Sequence, residues 1–364
     1  MLYILIAILM FGILIALHEF GHFAAAKLCG VKVNEFSIGM GPQIVHKRGK
    51  ETEYSFRLFP IGGFCAMEGE EEGESSDPRA FPNRPWWQRL IILLAGMGMN
   101  FLTGLLIILC LYSGVTAINV PVVAGFTAGE ELEQFQGLEI GDRIVSVDGH
   151  AIYLTGDIAL YLSRGNGSSA DLVVERNGQK ITIDNFQLTS QIGEDVDGAN
   201  QVILGIRPAV ERLSVIGRLK LAWFQSVDYV RMVWISLGDL VSGAVGLRDM
   251  SGPVGIIGMV GEVGREGAQA AASQGVSAFL GAMVNILQLT AFISINLSVM
   301  NLLPIPALDG GQIFFMAVNG VLLALRGRKM DPKYQNWVSM AGFACLMALM
   351  LAVTVSDILK KFGV

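Results

Sequence analysis

Long apolar runs alternate with polar segments along this chain. A helix rising 1.5 Å per residue needs about 20 apolar residues to cross the hydrocarbon core of a bilayer. Four runs have that length: residues 1–27, 90–113, 276–303 and 337–359. A shorter apolar piece, Gln312–Leu325, belongs to segment 304–336 and is expected to lie re-entrant or at the membrane interface. The pattern predicts a polytopic α-helical membrane protein with about four transmembrane helices.

The polar segment 28–89 separates the first two runs. Within it, "YSFRLFPIGGFCAM" (Tyr54–Met67) alternates in part and follows the turn signal "KRGKE". This pattern predicts a membrane-associated, re-entrant β-hairpin. A plain β-turn at "FPIGGF" is the alternative. The acidic stretch "EGEEEGESSD" that comes next is expected to be a loop.

The region between the second and third runs is the longest polar part of the chain. Residues 119–208 predict a soluble domain, in which "DLVVERNGQKITI" forms a hairpin because Asn177-Gly178 suits a type I′ turn. Residues 209–275 are expected to be an amphipathic membrane-surface region, because their stretch 219–240 is apolar but carries Asp228, Arg231 and Asp239. A fifth span over 219–240 remains open, and it would reverse the topology downstream.

Composition and charge agree with this division. The 364 residues are 52% hydrophobic and 16% charged, which is typical of a membrane protein with a soluble part. The net charge is −6, and no basic patch with interleaved aromatic residues occurs, so nucleic acid is not an expected partner. The four cysteines form no C-x-x-C pair and are interpreted as small apolar residues.

The distribution of basic residues predicts the orientation. Segment 24–89 carries nine Lys/Arg and segment 304–336 carries four, whereas nothing basic precedes Lys27. Both basic segments are therefore expected in the cytoplasm and the soluble domain outside. The lack of a basic start also argues against a cleaved signal peptide.

The first run carries ionisable residues near its end, in "HEFGH" (His18–His22). An ionisable group in hydrocarbon costs a few kcal/mol, so three together need a reason. Residues four apart share a helix face, so both imidazoles can bind one metal ion with Glu19 beside it. In H-E-x-x-H sites the histidines bind Zn²⁺ and the glutamate takes a proton from water. Polar contacts between helices are the alternative interpretation.

A catalytic zinc needs a third protein ligand, and Asp309 is the best candidate. It lies in "NLLPIPALDGGQ", where prolines and glycines interrupt the third run at membrane depth. An aspartate there is costly unless a cation neutralises it. His18, His22 and Asp309 are thus predicted to form one zinc site. A helix N-cap for Gln312–Leu325 is the other role open to Asp309.

These motifs resemble those of the site-2 protease family of intramembrane zinc metalloproteases, and most closely the bacterial regulators that cleave anti-sigma factors and signal-peptide remnants. The resemblance covers nearly the whole chain and includes "FSIGMGP", "FPIGGF", "AGMGMNF", "MSGPVGI" and "LSVMNLLPIPALDGG". It implies that Glu19 is the general base and that His18, His22 and Asp309 bind zinc. It also implies four substrate-binding residues, which are Asn301, Asn296, Gly62 and Gly63. Interhelical hydrogen bonding is the other interpretation for both asparagines.

The soluble domain resembles a PDZ domain through "GLEIGDRIVSVDG". Its segment "VVAGFTAGEELEQFQ" departs from the usual carboxylate-binding loop, so the family's alternative role, a size filter for trimmed substrates, is equally open. "MSGPVGI" (Met250–Ile256) is expected to form a turn and has no other role at this stage.

The leading hypothesis is an intramembrane zinc endopeptidase of the bacterial cytoplasmic membrane. Its expected partners are the lipid bilayer and single-span membrane proteins as substrates, with the active site toward the cytoplasmic side. A metal transporter and a catalytically inactive PDZ adaptor are the alternatives. Transport needs a polar route across the membrane, which the nearly uncharged second and fourth runs do not offer. An intact Glu19 argues against the inactive adaptor.

Overall fold

The computed structural model describes residues 2–70, 75–126, 137–165, 167–187, 206–246, 249–328 and 330–361. The chain divides into two units, Met1–Leu111 with Ser226–Val364, and Tyr112–Gln225. The helices are α1 (Leu2–Leu28), α2 (Trp86–Tyr112), α3 (Thr155–Arg164), α4 (Val215–Ser242), α5 (Pro253–Ser273), α6 (Ala278–Leu302), α7 (Asp309–Arg326) and α8 (Pro332–Lys361). The strands are β1 (Val33–Arg48), β2 (Glu53–Met67), β3 (Ala117–Phe126), β4 (Arg143–Val147), β5 (His150–Ala151), β6 (Ser169–Arg176), β7 (Gln179–Gln187) and β8 (Ile206–Arg212).

Four helices in the described part of the chain are long and apolar enough to cross a membrane. They are Leu2–Leu28, Trp86–Tyr112, Ala278–Leu302 and Lys333–Lys360. The predicted number is therefore confirmed, although α2 begins at Trp86 rather than at residue 90. Helix α4 is not among the four, in keeping with the charges of Asp228, Arg231 and Asp239. Helix α7 is not among them either, and it ends where Gly327 adopts a left-handed conformation.

The predicted hairpin is present but longer than expected. Strands β1 and β2 pair antiparallel, and "KRGKE" lies at the turn between them, where the Gly49 N–H donates to the Thr52 carbonyl. Tyr54–Met67 is thus part of the second arm and not a complete hairpin. The sequence did not reveal β1 because Gly39, Gly41 and Pro42 interrupt its alternation of polar and apolar residues.

Both arms of the hairpin bend at glycines with positive φ, namely Gly39 (+88°), Gly41 (+87°) and Gly62 (+95°). Because of these bends, residues 35–38 of β1 lie between two parts of β2, residues 53–56 and 63–66. Beyond the bends, residues 40–45 and 57–59 form what we call the hairpin tip, which is distinct from the "KRGKE" turn. The tip exposes apolar side chains, which are Ile44, Val45, Leu58 and Phe59. The bends therefore separate an apolar tip from a short strand, residues 63–67, that lies against α1.

The hairpin reaches deep along α1. A Cβ on Gly12 would collide with the Pro60 carbonyl oxygen, and one on Gly63 would lie 3.6 Å from Glu19 Cγ. Gly12 precedes Lys27, the basic end of α1, by fifteen residues, or about 22 Å of helix. Irregular backbone at such depth is tolerated only where protein or a cavity covers it. The hairpin therefore contacts α1 over this length, and its insertion into a membrane stays a prediction.

The apolar helices pack closely through small residues. A Cβ on Gly21 of α1 would lie 2.9 Å from Gly96 Cα of α2, and a Cβ on Gly104 would lie 2.6 Å from Ile295 Cγ1 of α6. The small-residue face predicted from Gly96, Asn100 and Gly104 is indeed buried between helices. On another side of α1, a core cluster joins it to α5 and α6, and its buried members are Ala7, Met10, Leu14, Val260 and Ile286.

The segment "MSGPVGI" begins α5, and an aspartate of α8 caps it. Asp357 Oδ2 accepts hydrogen bonds from the backbone N–H groups of Gly252 and Gly255, both at 2.8 Å, and its side chain is buried. The N-cap residue of α5 is Gly252, which has no side chain to accept these hydrogen bonds itself. A Cβ on either glycine would lie 3.0 Å or less from Asp357 Oδ2. The motif, expected to be a simple turn, therefore holds the last helix in place.

The second unit contains a six-stranded sheet in which β7, β6, β4, β3 and β8 are neighbours in that order and β5 pairs with β4. The hairpin predicted at Asn177-Gly178 is confirmed, with φ values of +52° and +78°. Asp142, from "GLEIGDRIVSVDG", is buried and forms two hydrogen bonds of 2.7 Å with Arg176. Residues 127–136, where a carboxylate-binding loop was sought, lie outside the described residues, so the PDZ interpretation stays a prediction.

Replacing Asp357 by Leu is expected to lower the free energy of unfolding by about 1–3 kcal/mol, because two backbone N–H groups at the start of α5 lose their buried acceptor. Asp357→Asn, which keeps an oxygen, should lose less. Thr354→Val is the control, since among the described residues the Thr354 hydroxyl bonds only to the Met350 carbonyl within α8. Denaturant unfolding in detergent micelles measures the differences. A leucine variant as stable as the threonine control would contradict the capping role.

Candidate metal centre

Two histidines on α1 form one side of the site. His18 and His22 lie one helical turn apart and are buried, with 9% and 6% of their surfaces exposed. Their rings meet edge to face with centroids 4.7 Å apart, and their Nε2 atoms are 3.1 Å apart. The two imidazoles therefore share one face of α1, as predicted, and both Nε2 lone pairs can bind the same metal ion.

Asp309 forms the other side. It is the first residue of α7, and its Oδ2 lies 3.1 Å from His18 Nε2 and 3.2 Å from His22 Nε2. The N-cap position belongs to Leu308, so the alternative role foreseen for Asp309 does not describe this helix. The tight loop before it includes Ala307 at φ +84°, a conformation that a non-glycine residue rarely adopts.

The three atoms fit a single cation. A tetrahedral zinc with bonds of about 2.0–2.1 Å holds its ligand atoms roughly 3.3–3.4 Å apart. The observed separations are 3.1–3.2 Å. Asp309 Oδ2 is buried and makes no hydrogen bond within the part of the chain that the structure describes. A buried carboxylate oxygen without a donor, facing two imidazole nitrogens, is what a metal ion would neutralise.

Helix α2 supports the histidines from behind. His22 Nδ1 lies 2.8 Å from the Ile92 carbonyl, so it donates its proton there and leaves the Nε2 lone pair free for a metal. Gly96 lies one turn further along α2, and a Cβ there would collide with His22 Nε2 and lie 2.8 Å from His18 Cε1. The absence of a side chain at Gly96 therefore makes room for both rings.

Glu19 borders two cavities beside the three atoms. The larger, of about 620 Å³, is lined by Glu19, His22, Asp309 and residues 64–70 of the hairpin and its following turn. The smaller, of about 330 Å³, lies on the His18 side and also includes Glu19 and Asp309. The Cys65 backbone N–H donates to the Glu19 carboxylate. Glu19 is thus fixed next to the strand edge and open to both cavities.

The proposed substrate-binding residues divide into two groups. Asn301 lines the smaller cavity, and Gly63 lies beside Glu19. Gly62 forms the bend that directs residues 63–67 along α1. Asn296 is half-buried on α6 and is not among the residues that line either cavity. The structure therefore brings three of the four near the site and leaves Asn296 apart from it.

Sequence reasoning missed several residues that shape the site. Asn100 Nδ2 lies 3.4 Å from His18 Nδ1, although the four-residue spacing of Asn100 and Gly96 had indicated only helix packing. Glu70, from the acidic stretch, lines the larger cavity with Gln312, whose side chain bonds to it. Withdrawal from water raises the pKa of Glu70 to about 7. No local sequence signal marks Glu70, because its neighbours are also acidic.

Comparison with known proteins agrees with this geometry. The model of peptidase family M50 matches residues 6–349. A protein of Clostridium acetobutylicum is 37% identical over 98% of this chain and 97% of its own length. The zinc metalloprotease RasP of Geobacillus kaustophilus is 28% identical, covering 98% and 97%, and the regulator of sigma-W protease RasP of Bacillus subtilis is 28% identical, covering 98% of both.

The chain therefore belongs to peptidase family M50, the site-2 protease family, and is a metalloprotease. The family prediction made from "HEFGH" and "NLLPIPALDGG" is confirmed.

Replacing Gly96 by Ala is expected to weaken metal binding by about tenfold or more, because the new methyl group displaces the imidazole of His22. Gly98→Ala is the matched control on the same helix, since nothing lies within 4 Å of the Cβ it would add. Metal content of the purified proteins after dialysis against a weak chelator distinguishes the two. Equal metal retention by both variants would contradict the packing argument.

Proposed function

We propose that this chain is an intramembrane zinc endopeptidase that hydrolyses peptide bonds within or near the transmembrane segments of single-span membrane proteins. The observation that carries the proposal is the convergence of His18, His22 and Asp309 beside Glu19 on α1, a helix apolar enough to span a bilayer. His18 lies ten residues before the end of that helix, which supports a site inside the membrane toward the basic end of α1.

The residues have separate roles in this proposal. His18, His22 and Asp309 hold the zinc ion, which when bound supplies Lewis acidity for the scissile carbonyl and lowers the pKa of a water molecule. Glu19 accepts the proton of the attacking water and delivers it to the leaving amine. The hydrogen bond from the Cys65 N–H keeps the Glu19 carboxylate oriented toward the cavities. Asn301, in the smaller cavity, donates to the oxygen on which negative charge develops.

The hairpin supplies the substrate's binding surface. A transmembrane helix protects its peptide bonds by its own hydrogen bonds, so the substrate must unwind before hydrolysis. An unwound strand regains those bonds by pairing with a free sheet edge. Residues 64–67 of β2 have β1 on one side and border the larger cavity on the other. Gly62 and Gly63 allow the substrate backbone close to Glu19, and Asn296 would contact the substrate further along α6.

The family and the charge pattern support the cellular setting that we propose. The basic segments 24–89 and 304–336 belong in the cytoplasm, with the second unit, a PDZ-like domain, outside the bacterial plasma membrane. One relative is named as a regulator of sigma-W protease, which supports anti-sigma factors as a substrate class here. Signal-peptide remnants, also single apolar helices, are the second substrate class proposed.

Replacing Glu19 by Gln is expected to reduce cleavage of a model single-span substrate by about 10²–10⁴-fold while zinc content stays at one ion per chain, because the variant loses only the proton acceptor. Wild type and variant are purified together in detergent, and zinc and cleavage are measured on the same samples. Zinc in both with full activity in the variant would contradict the role of Glu19. Zinc in both without cleavage by either would mean either a wrong substrate or a transporter, and a liposome zinc-flux assay would separate these two.

Replacing Asp309 by Ala is expected to remove both zinc and cleavage, because two imidazoles alone leave the ion under-coordinated. Asp184→Ala removes an exposed aspartate of β7 and is the control for the loss of one negative charge. Zinc per chain is measured by atomic absorption. An Asp309 variant that retains zinc as the control does would assign the third ligand elsewhere.

A further inference from the structure

The two histidines differ in what their second ring nitrogen contacts. His22 Nδ1 has a backbone carbonyl acceptor, that of Ile92, at 2.8 Å. His18 Nδ1 faces the side-chain amide of Asn100, with Nδ2 at 3.4 Å. An imidazole that binds a metal through Nε2 carries its proton on Nδ1 and needs an acceptor for it. Asn100 lies in the right place to be this acceptor for His18, but its amide nitrogen, which cannot accept a proton, faces His18 Nδ1.

Asn100 is buried, and half of its amide has no partner. Only 1% of its surface is exposed. Its Oδ1 makes no hydrogen bond with any residue that the structure describes. Its backbone carbonyl accepts a hydrogen bond of 2.7 Å from Ser294 Oγ of α6, which fixes this turn of α2. A buried acceptor without a donor therefore lies next to a nitrogen that must donate once the metal is bound.

We propose that Asn100 is the positioning residue for His18, with its side-chain oxygen accepting the Nδ1 proton of His18 when zinc binds to Nε2. A half-turn of the amide about the Cβ–Cγ bond exchanges Nδ2 and Oδ1 with almost no change in shape, so no helix has to move. The exchange gives both His18 Nδ1 and Asn100 Oδ1 a partner. The inference rests on the zinc site proposed above.

A neutral acceptor suits this place. Asp309 and Glu19 already bring two carboxylates to the same cavity, and a third would add charge within an apolar helix bundle, which costs folding stability and does not weaken the binding of a cation. Asn100 accepts the proton without that charge. Its position one turn after Gly96 on α2 means that the same helix leaves room for the two rings and orients one of them. Loss of the acceptor is expected to loosen His18 and hence the zinc.

The test is the rate at which a chelator removes zinc from the purified full-length protein. Asn100→Leu, which has no acceptor, is expected to release zinc about 10–100-fold faster than wild type, the usual effect of losing an outer-shell partner. Asn100→Asp keeps an oxygen and should stay within about threefold of wild type. Gly98→Ala, on the same helix but with no atom of the described residues within 4 Å of the Cβ it would add, should release zinc at the wild-type rate. Asn100→Ala replaces the leucine variant if the latter elutes as an aggregate.

The outcomes separate this inference from the function on which it rests. Wild-type protein without zinc would refute the proposed zinc site itself. Zinc in the wild type with unchanged release from Asn100→Leu and Asn100→Ala would overturn the positioning role alone. Unchanged release with a raised KM for the model substrate would assign Asn100 to substrate binding and also overturn it. Faster release from both acceptor-free variants, with Asn100→Asp close to wild type, supports the inference.

Discussion

The close crossing of α1 and α2 is the contact on which the site depends. Gly21 and Gly96 allow the two helices to approach so nearly that a methyl group on either would collide with the other helix or with the histidine rings. The same approach brings the Ile92 carbonyl to His22. Because a metal-binding imidazole must hold one tautomer, the spacing of two helix backbones decides the chemistry of a side chain. Small residues are what make such spacing available in apolar bundles.

Two irregular segments complete the site. The strand at residues 63–67 lies beside α1, and a short loop, residues 303–308, joins α6 to α7. A Cβ on Gly311 would lie 2.9 Å from the Ile305 carbonyl carbon, so this loop closes against its own helix. Neither segment is regular helix, and both border the cavities beside the three ligand atoms. Inside a bilayer, hydrocarbon would leave the backbone groups of such segments unsatisfied. The cavities are thus a requirement of the backbone as well as the place for a substrate.

The sequence predicted what depends on local spacing. The shared face of His18 and His22 follows from their separation of four residues, and Asp309 followed from the expense of a lone carboxylate in an apolar run. The four spans and the turn at Asn177-Gly178 are similarly local. By contrast, β1 is hidden by its glycine bends, and the hydrogen bonds of Asp357 join residues about a hundred positions apart. Such long-range contacts depend on how the elements pack against one another, and this packing cannot be predicted from the spacing of residues along the sequence.

The proposed mechanism depends on one zinc ion held by His18, His22 and Asp309. X-ray absorption at the zinc edge, on full-length protein in detergent, reports the ligands directly. We expect nitrogen and oxygen atoms at about 2.0–2.1 Å from the zinc ion, with the outer-shell pattern of two imidazoles and no sulfur. Cys65 lines the same cavity, so a sulfur neighbour at about 2.3 Å would contradict the assignment and place a thiolate in the site.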